Sequence, residues 1–471
     1  MKKIRGICLL LCAALLLCGL SISAHTAEAD SSVVSGSHSV DAARTLGTTE
    51  KLADTAKAVI LYERNSGTMV YAWNPDETIY PSSMVKLMTA MVAIERGNLE
   101  DTVIVTSRAL SYITIGSMAL GLKSGEEISF ESLLYALMVG SYNDAATVIA
   151  EHIAGSQEAF VDMMNAKAVE LGCTGTNFSN VHGLHDDNTY TTARDICRIL
   201  DAALNDDYFR ALFCTAEYQI PATNKSEART VYTTNHMLST AQDKRYFDDR
   251  VTGGRTGATN QAGRCLAITA QGSGMELIGI VMGAQATYEA DGLSLKTFGS
   301  FEEMDVLLDY AFEKFEFRQV VGAGQALKQY SVTNGANQVA AVPAETISTE
   351  LPKNLEETEL SWEYSAYGDL TAPVSAGAVV STLKVWYGDI CVAQTDLVAA
   401  TDVDVYVAPT EPAVSDGKEE DGGGAVLAVF VGIVLGAALL TLAVLVVVRL
   451  VRRASFRAMR RRRRVGRRRS R

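Results

Sequence analysis

Three short segments carry side chains that can do chemistry together. The first is Pro81-Ser82-Ser83-Met84-Val85-Lys86, which sets a hydroxyl and an amine three residues apart. On a helix, positions i and i+3 share one face, so Ser83 and Lys86 can act as nucleophile and base without a histidine. An amine accepts the serine proton only when it is neutral. Lys86 therefore needs a pKa depressed by burial or by neighbouring positive charge. A helix N-terminus supplies part of that positive potential, and it sets a backbone N–H beside the reacting carbonyl, a start on an oxyanion hole.

The second segment is Ser141-Tyr142-Asn143, in a tight break between two helical patterns. It reads in two ways. Ser141 or Asn143 can cap the next helix by accepting from its free N–H groups. Alternatively, Ser141 relays a proton to the leaving group while Asn143 bonds the substrate amide and Lys86. The third segment is Arg255-Thr256-Gly257, ahead of an apolar strand. It is either an ordinary turn with a solvated arginine or a carboxylate site. In the second case Arg255 supplies fixed charge, Thr256 a hydroxyl, and Gly257 room for close backbone approach. Each segment alone is a weak signal. Their order along the chain is what points to an enzyme.

The elements that must position these groups follow from periodicity. Residues 58–62 and 69–73 are apolar runs around Asn65-Ser66-Gly67, the pattern of a β-hairpin. Residues 86–96 continue as a helix with Leu87, Met91 and Ile94 on its buried side. Residues 130–154 hold two helices broken at Gly140-Ser141-Tyr142, and a third helix covers 157–171. Residues 265–270 and 277–282 read as buried strands joined at Gly272-Ser273-Gly274, with a helix over 301–315 returning against them. From residue 321 to 407 short Val/Thr/Ala runs punctuated by Pro352 and Pro373 predict a small all-β domain.

The chain has 471 residues and a formal charge of −13. Between residues 30 and 448 there are 26 basic and 54 acidic side chains, so the body is acidic and unsuited to nucleic acid. Residues 1–29 read as a signal peptide: Lys2, Lys3 and Arg5 precede an apolar run, and Ala27-Glu28-Ala29 offers a cleavage site. Residues 30–50 read as a disordered leader and 408–424 as a linker. Residues 425–448 carry no charge, and at ~1.5 Å per residue they are long enough to span a bilayer. The 13 arginines of residues 449–471 then predict a cytoplasmic tail, with the body outside. Five cysteines follow residue 29, at 173, 197, 214, 265 and 391, with neither disulfide nor zinc spacing. His182 and His185 have H-x-x-H spacing, but no nearby Cys or Glu completes a metal site.

Taken together, S-x-x-K, S-x-N and [KR]-T-G resemble the signature of penicillin-binding proteins and class A β-lactamases. The wider text is similar to the low-molecular-weight penicillin-binding proteins that act as serine D-alanyl-D-alanine carboxypeptidases. It includes Asn143-Asp144-Ala145-Ala146, His182-Gly183-Leu184, Thr191-Thr192-Ala193-Arg194-Asp195, Thr234-Asn235 and the approach to Gly257. The resemblance implies an α/β (α+β) catalytic domain over residues 51–320, with an antiparallel sheet, flanking helices and a helical subdomain. The small all-β domain and one C-terminal membrane helix would follow it. It implies Ser83 as acyl-ester nucleophile, Lys86 as its base, Ser141 and Asn143 as the second motif, and Arg255, Thr256 and Gly257 as substrate-binding. No cofactor or metal is implied. The substrate would be a peptidoglycan stem peptide ending in D-Ala-D-Ala, with β-lactams as covalent inhibitors.

Two positions depart from the family's pattern: Arg255 stands where lysine is usual, and Ala258 where histidine is frequent. They favour a catalytically silent wall-binding protein as the alternative, against which the presence of Ser83, Lys86, Ser141 and Asn143 counts. A β-lactamase would need a deacylating base after the second motif, and no convincing candidate is found there.

Overall fold

The computed structural model describes residues 40, 45–114, 116–291 and 295–407. The predicted signal peptide, linker, membrane span and arginine tail lie outside the described residues. Among the described residues, no helix is long and apolar enough to cross a membrane.

The catalytic region is built on a five-stranded antiparallel sheet. Its strands are β1 (Ala58–Glu63), β2 (Thr68–Trp73), β3 (Val251–Thr259), β4 (Gly263–Gly272) and β5 (Met275–Ala284), in the order β2-β1-β5-β4-β3. Strand β1 is apolar at successive positions because both faces are covered. Ala58, Ile60 and Tyr62 join one core, while Val59 and Leu61 join the other. The first core is helical: α1 (Val85–Arg96), α2 (Phe130–Met138), α3 (Asn143–Ala154), α4 (Gln157–Glu170), α5 (Ala193–Ala203) and α6 (Asp207–Cys214). The second core lies under α7 (Gly299–Lys314). At Gly279 a Cβ would sit 2.6 Å from Met304 Sδ, so glycine lets α7 lie close on β5.

Helix α1 differs from the one-sided helix that its pattern predicts. Residues 85 through 93 are all buried, Lys86 included. This stretch runs through the middle of the helical core, where no side faces solvent.

The leader also ends earlier than its composition suggests. Leu46 N donates to Met69 O and Gly47 N to Val70 O, each at 2.9 Å, along the edge of β2. Leu46 is buried, and Thr48 N donates to Tyr310 Oη at 2.7 Å. Pairing with the edge of β2, burial of Leu46, and bonds to Tyr310 and from Tyr71 hold this polar segment against the sheet.

Beyond α7 comes a β domain. It pairs β6 (Phe315–Val321) with β9 (Ile347–Pro352). Its second sheet runs β7 (Lys328–Tyr330), β8 (Val339–Pro343), β12 (Ile390–Ala399), β11 (Val379–Tyr387) and β10 (Leu360–Ala366). This domain shares its apolar core with α7. Polar contacts join the two regions as well: Phe317 N donates to Ser273 O at 2.9 Å, and Ser66 Oγ to Glu350 Oε2 at 2.5 Å.

Candidate active site

Ser83 lies in a 3-10 turn, Ser82–Met84, that runs directly into α1. The continuous helix holds Lys86 one turn on, with Nζ 3.1 Å from Ser83 Oγ. Lys86 is 0 % exposed. Its Nζ donates to Asn143 Oδ1 at 2.7 Å and to the His182 carbonyl at 2.6 Å. A neutral amine has two N–H groups and one lone pair. Two carbonyl oxygens take the two N–H groups, and the lone pair is left for the Ser83 hydroxyl. Burial pushes the Lys86 pKa well below its ordinary value, and the Arg255 charge adds to this, against a weaker opposing pull from Asp144.

The break between α2 and α3 holds Ser141 in the left-handed region, φ +63°. That conformation is uncommon for a side chain other than glycine. Ser141 Oγ donates to Ser83 Oγ at 3.4 Å. Asn143 is the first residue of α3, and Tyr142 is its N-cap, with no side-chain cap bond. The capping alternative therefore does not describe Ser141 or Asn143, whose polar atoms turn toward Ser83 and Lys86. The next residue, Asp144, accepts from the N–H groups of Leu120, Gly121 and Leu122 at 2.9, 2.9 and 3.0 Å. This pins the loop that brings Ser117 and Met118 to the cleft.

Arg255 reaches the site from beneath. On β3 its side chain alternates with that of Thr256, and it points into the protein, 1 % exposed. Nη2 donates to Ser141 Oγ at 2.6 Å and Nη1 to the Met138 carbonyl at 2.8 Å. Burial lowers its pKa to about 9, which leaves it charged at neutrality. The substrate-binding role expected for Arg255 needs correction, because its guanidinium does not line the cleft. It stands instead as a buried positive charge behind Ser141 and Lys86. Thr256 does line the cleft, and its Oγ1 donates to Thr234 Oγ1 at 2.6 Å. At Gly257 a Cβ would come within 3.0 Å of Ser83 N, so glycine there lets β3 lie against the serine's own backbone.

The motifs alone do not disclose two further contributors. The His182 carbonyl holds Lys86, and the turn carrying it depends on Gly183 at φ +83°. A Cβ on Gly183 would lie 2.0 Å from Ser82 O. The His182 ring is buried, and its Nδ1 accepts from Leu184 N at 3.1 Å. Burial and then the Lys86 charge push its pKa down to about 3. The signal for both was the His182-Gly183-Leu184 text, read only as resemblance. Ser82, Ser83, Ser141, Asn143, Thr256 and Gly257 all line one cleft of about 560 Å³ at the end of β3.

A helical region against a five-stranded antiparallel sheet, with this cleft at the junction and a β domain behind, is the architecture of penicillin-binding proteins. Penicillin-binding protein 5 of Haemophilus influenzae superposes with a TM-score of 0.60 at 29% identity, over 76% of this chain and 100% of that one. Penicillin-binding protein 6B of Escherichia coli gives 0.56 at 25% identity, over 74% and 97%. The D-alanyl-D-alanine carboxypeptidase family model matches residues 45–286, and that of the penicillin-binding protein 5 C-terminal domain matches residues 315–405. The chain belongs to the D-alanyl-D-alanine carboxypeptidase family, peptidase S11. D-alanyl-D-alanine carboxypeptidase DacA of Haemophilus influenzae is 30% identical over 367 residues, 74% of this chain and 85% of that protein. DacF of Bacillus subtilis is 28% identical over 361 residues, 75% and 87%.

Proposed function

We propose that Ser83 is the acyl-ester nucleophile with which this D-alanyl-D-alanine carboxypeptidase trims peptidoglycan stem peptides. The observation that carries the assignment is the fully buried Lys86 amine, 3.1 Å from Ser83 Oγ with both its N–H groups engaged elsewhere. Lys86 takes the Ser83 proton as Oγ bonds to the carbonyl carbon between the two terminal D-alanines. The Ser83 N–H, at the helix start where N–H groups lack intrahelical acceptors, faces the developing oxyanion. The C–N bond then breaks. D-alanine leaves with the proton that Lys86 holds, passed through Ser141, whose Oγ is oriented by Arg255. Water attacks the ester carbonyl and gives one proton to Lys86; the C–Oγ bond then breaks, Lys86 returns that proton to Ser83 Oγ, and the shortened peptide leaves as its acid.

Strand β3 is the sheet's outer strand, and its free edge offers N–H and C=O groups to an extended peptide. Asn143, one residue into α3, is placed to steady Lys86 and the substrate amide together. β-Lactams acylate the same serine. The protein acts outside the membrane, held by the apolar 425–448 stretch with its arginine tail in the cytoplasm; the sequence pattern supports this reading.

Mass spectrometry of a stem pentapeptide incubated with the purified protein tests the reaction, with loss of one alanine expected. A fluorescent penicillin should label wild type and leave Ser83→Ala unlabelled. Wild-type protein that stays unlabelled and leaves the pentapeptide intact would refute the assignment.

A further inference from the structure

With Arg255 buried, the cleft still presents a cation. Among the described residues that line it, the one lysine or arginine is Arg264. His182 and His236 line it too, but burial keeps both imidazoles below their ordinary range and so uncharged near neutrality.

Arg264 sits opposite Ala258 in the β3–β4 register, one pair from the turn at Thr259 and Gly263. Opposed residues of an antiparallel pair present their side chains to the same face. Position 258 carries only a methyl group, and both residues line the cleft. The Arg264 Cζ lies 5.5 Å from the centroid of the Phe298 ring, a contact that orients the guanidinium without neutralising it. Among the described residues it has no carboxylate partner. On the same face of β3, two positions back, Thr256 Oγ1 and Thr234 Oγ1 form their hydroxyl pair at the cleft wall. A planar guanidinium and two hydroxyls that line one cleft are fitting donors for a carboxylate. The need for one is plain from the charge of the body, where acidic side chains outnumber basic ones about two to one and repel an anionic peptide.

We propose that Arg264 binds the terminal carboxylate of the peptide, together with the Thr256–Thr234 hydroxyls, and so selects chains that end in a free acid. The assignment rests on Ser83 as the acylated residue of the same cleft. Ala258 and Arg264 then form a linked pair, opposed across the two strands with the small residue facing the arginine.

The test compares a tripeptide ending in D-Ala-D-Ala as free acid with the same tripeptide as its terminal carboxamide, its first residue being uncharged. The quantity read is the acid-to-amide ratio of kcat/KM. Arg264→Gln should lower that ratio by about 10- to 150-fold, the equivalent of one charged hydrogen-bonded contact. Arg264→Lys should recover part of it, and thermal melting of each variant reports folding. An unchanged ratio in folded Arg264→Gln overturns the proposal, as does an equal loss on acid and amide, which marks a structural role. A third tripeptide places a carboxylate on the first residue. Loss confined to that peptide moves the bound anion upstream and also overturns the assignment. If wild type cleaves neither the acid, with release of D-alanine, nor the amide, with release of D-alaninamide, the fault lies with Ser83 and not with Arg264.

Discussion

The Arg255 guanidinium donates to Ser141 Oγ at 2.6 Å from the protein side of the cleft, not from the solvent side. It is 1 % exposed, and its further bonds go to the Met138 and Ser83 carbonyls. A charge held there cannot grip a peptide. It can set the proton affinity of its neighbours, and Lys86 is the neighbour that matters.

The first prediction follows from that charge. Lys86 must be neutral to accept the Ser83 proton, so kcat/KM rises with pH until Lys86 is deprotonated. Burial lowers its pKa, and the Arg255 charge lowers it further. Arg255→Gln removes the second contribution and leaves the first, so the Lys86 pKa climbs. The acidic limb of the kcat/KM profile for D-alanine release should shift to higher pH. A limb that stays in place would separate Arg255 from the base.

Asp144 gives the opposite sign. Its carboxylate raises the Lys86 pKa, and Asp144→Asn should move the same limb to lower pH. The substitution also removes a charged acceptor for three loop N–H groups. A charged hydrogen bond is worth about 1.5–3 kcal/mol, and the amide oxygen keeps part of the set, so a loss of about 2 kcal/mol in unfolding free energy is expected. Urea denaturation measures it.

How much of this was legible beforehand depends on what each feature rests on. Ser83 and Lys86 were readable because a helical turn fixes their spacing locally. Ser141 and Asn143 were readable as a break between helices, but the choice between cap and site needed the three-dimensional position of Lys86. The direction of Arg255 was hidden, because it depends on which face of β3 meets the helical core, and strand alternation alone does not assign faces. The burial of Lys86 was hidden for a similar reason: one helix's pattern does not reveal that other helices enclose it. Arg264 had a usable signal. A turn at residues 260–262 sets position 264 opposite 258, so the departure at Ala258 pointed across the hairpin to its counterpart.

Two glycines with similar backbone angles should respond differently to the same change. Gly155 has φ +77° and Gly183 has φ +83°, so alanine at either pays about 1–2 kcal/mol for the left-handed conformation. At Gly155 a Cβ meets nothing within 4 Å, whereas at Gly183 it would lie 2.0 Å from Ser82 O. Gly155→Ala should therefore lower the melting temperature and keep normal penicillin acylation. Gly183→Ala must displace the backbone that carries Ser83, and acylation should fall by at least about tenfold, as misplacement of a reacting group does. Equal acylation rates in the two variants would remove the His182–Gly183 turn from the site.

The last prediction concerns Glu350, at the contact between the β1–β2 hairpin and the β domain. Its carboxyl is 0 % exposed, Ser66 Oγ donates to Oε2, and Oε1 has no partner among the described residues. Desolvation is the main cause that raises its pKa to about 7, with the Glu63 charge adding to it against the bond from Ser66. The folded state thus holds this proton more tightly than the unfolded chain, whose carboxyl titrates near its ordinary value of about 4.3. Below that value both states are protonated and no penalty arises. As pH rises toward 7, the unfolded chain releases the proton first, and stability declines until the folded pKa is passed. The full effect is on the order of 3 kcal/mol. Melting curves from pH 5 to pH 8 should show this loss in wild type, whereas Glu350→Gln, which cannot ionise there, should show a distinctly smaller decline over the same range. Parallel pH dependence in the two proteins would mean that the carboxyl at position 350 is already ionised and paired at pH 5.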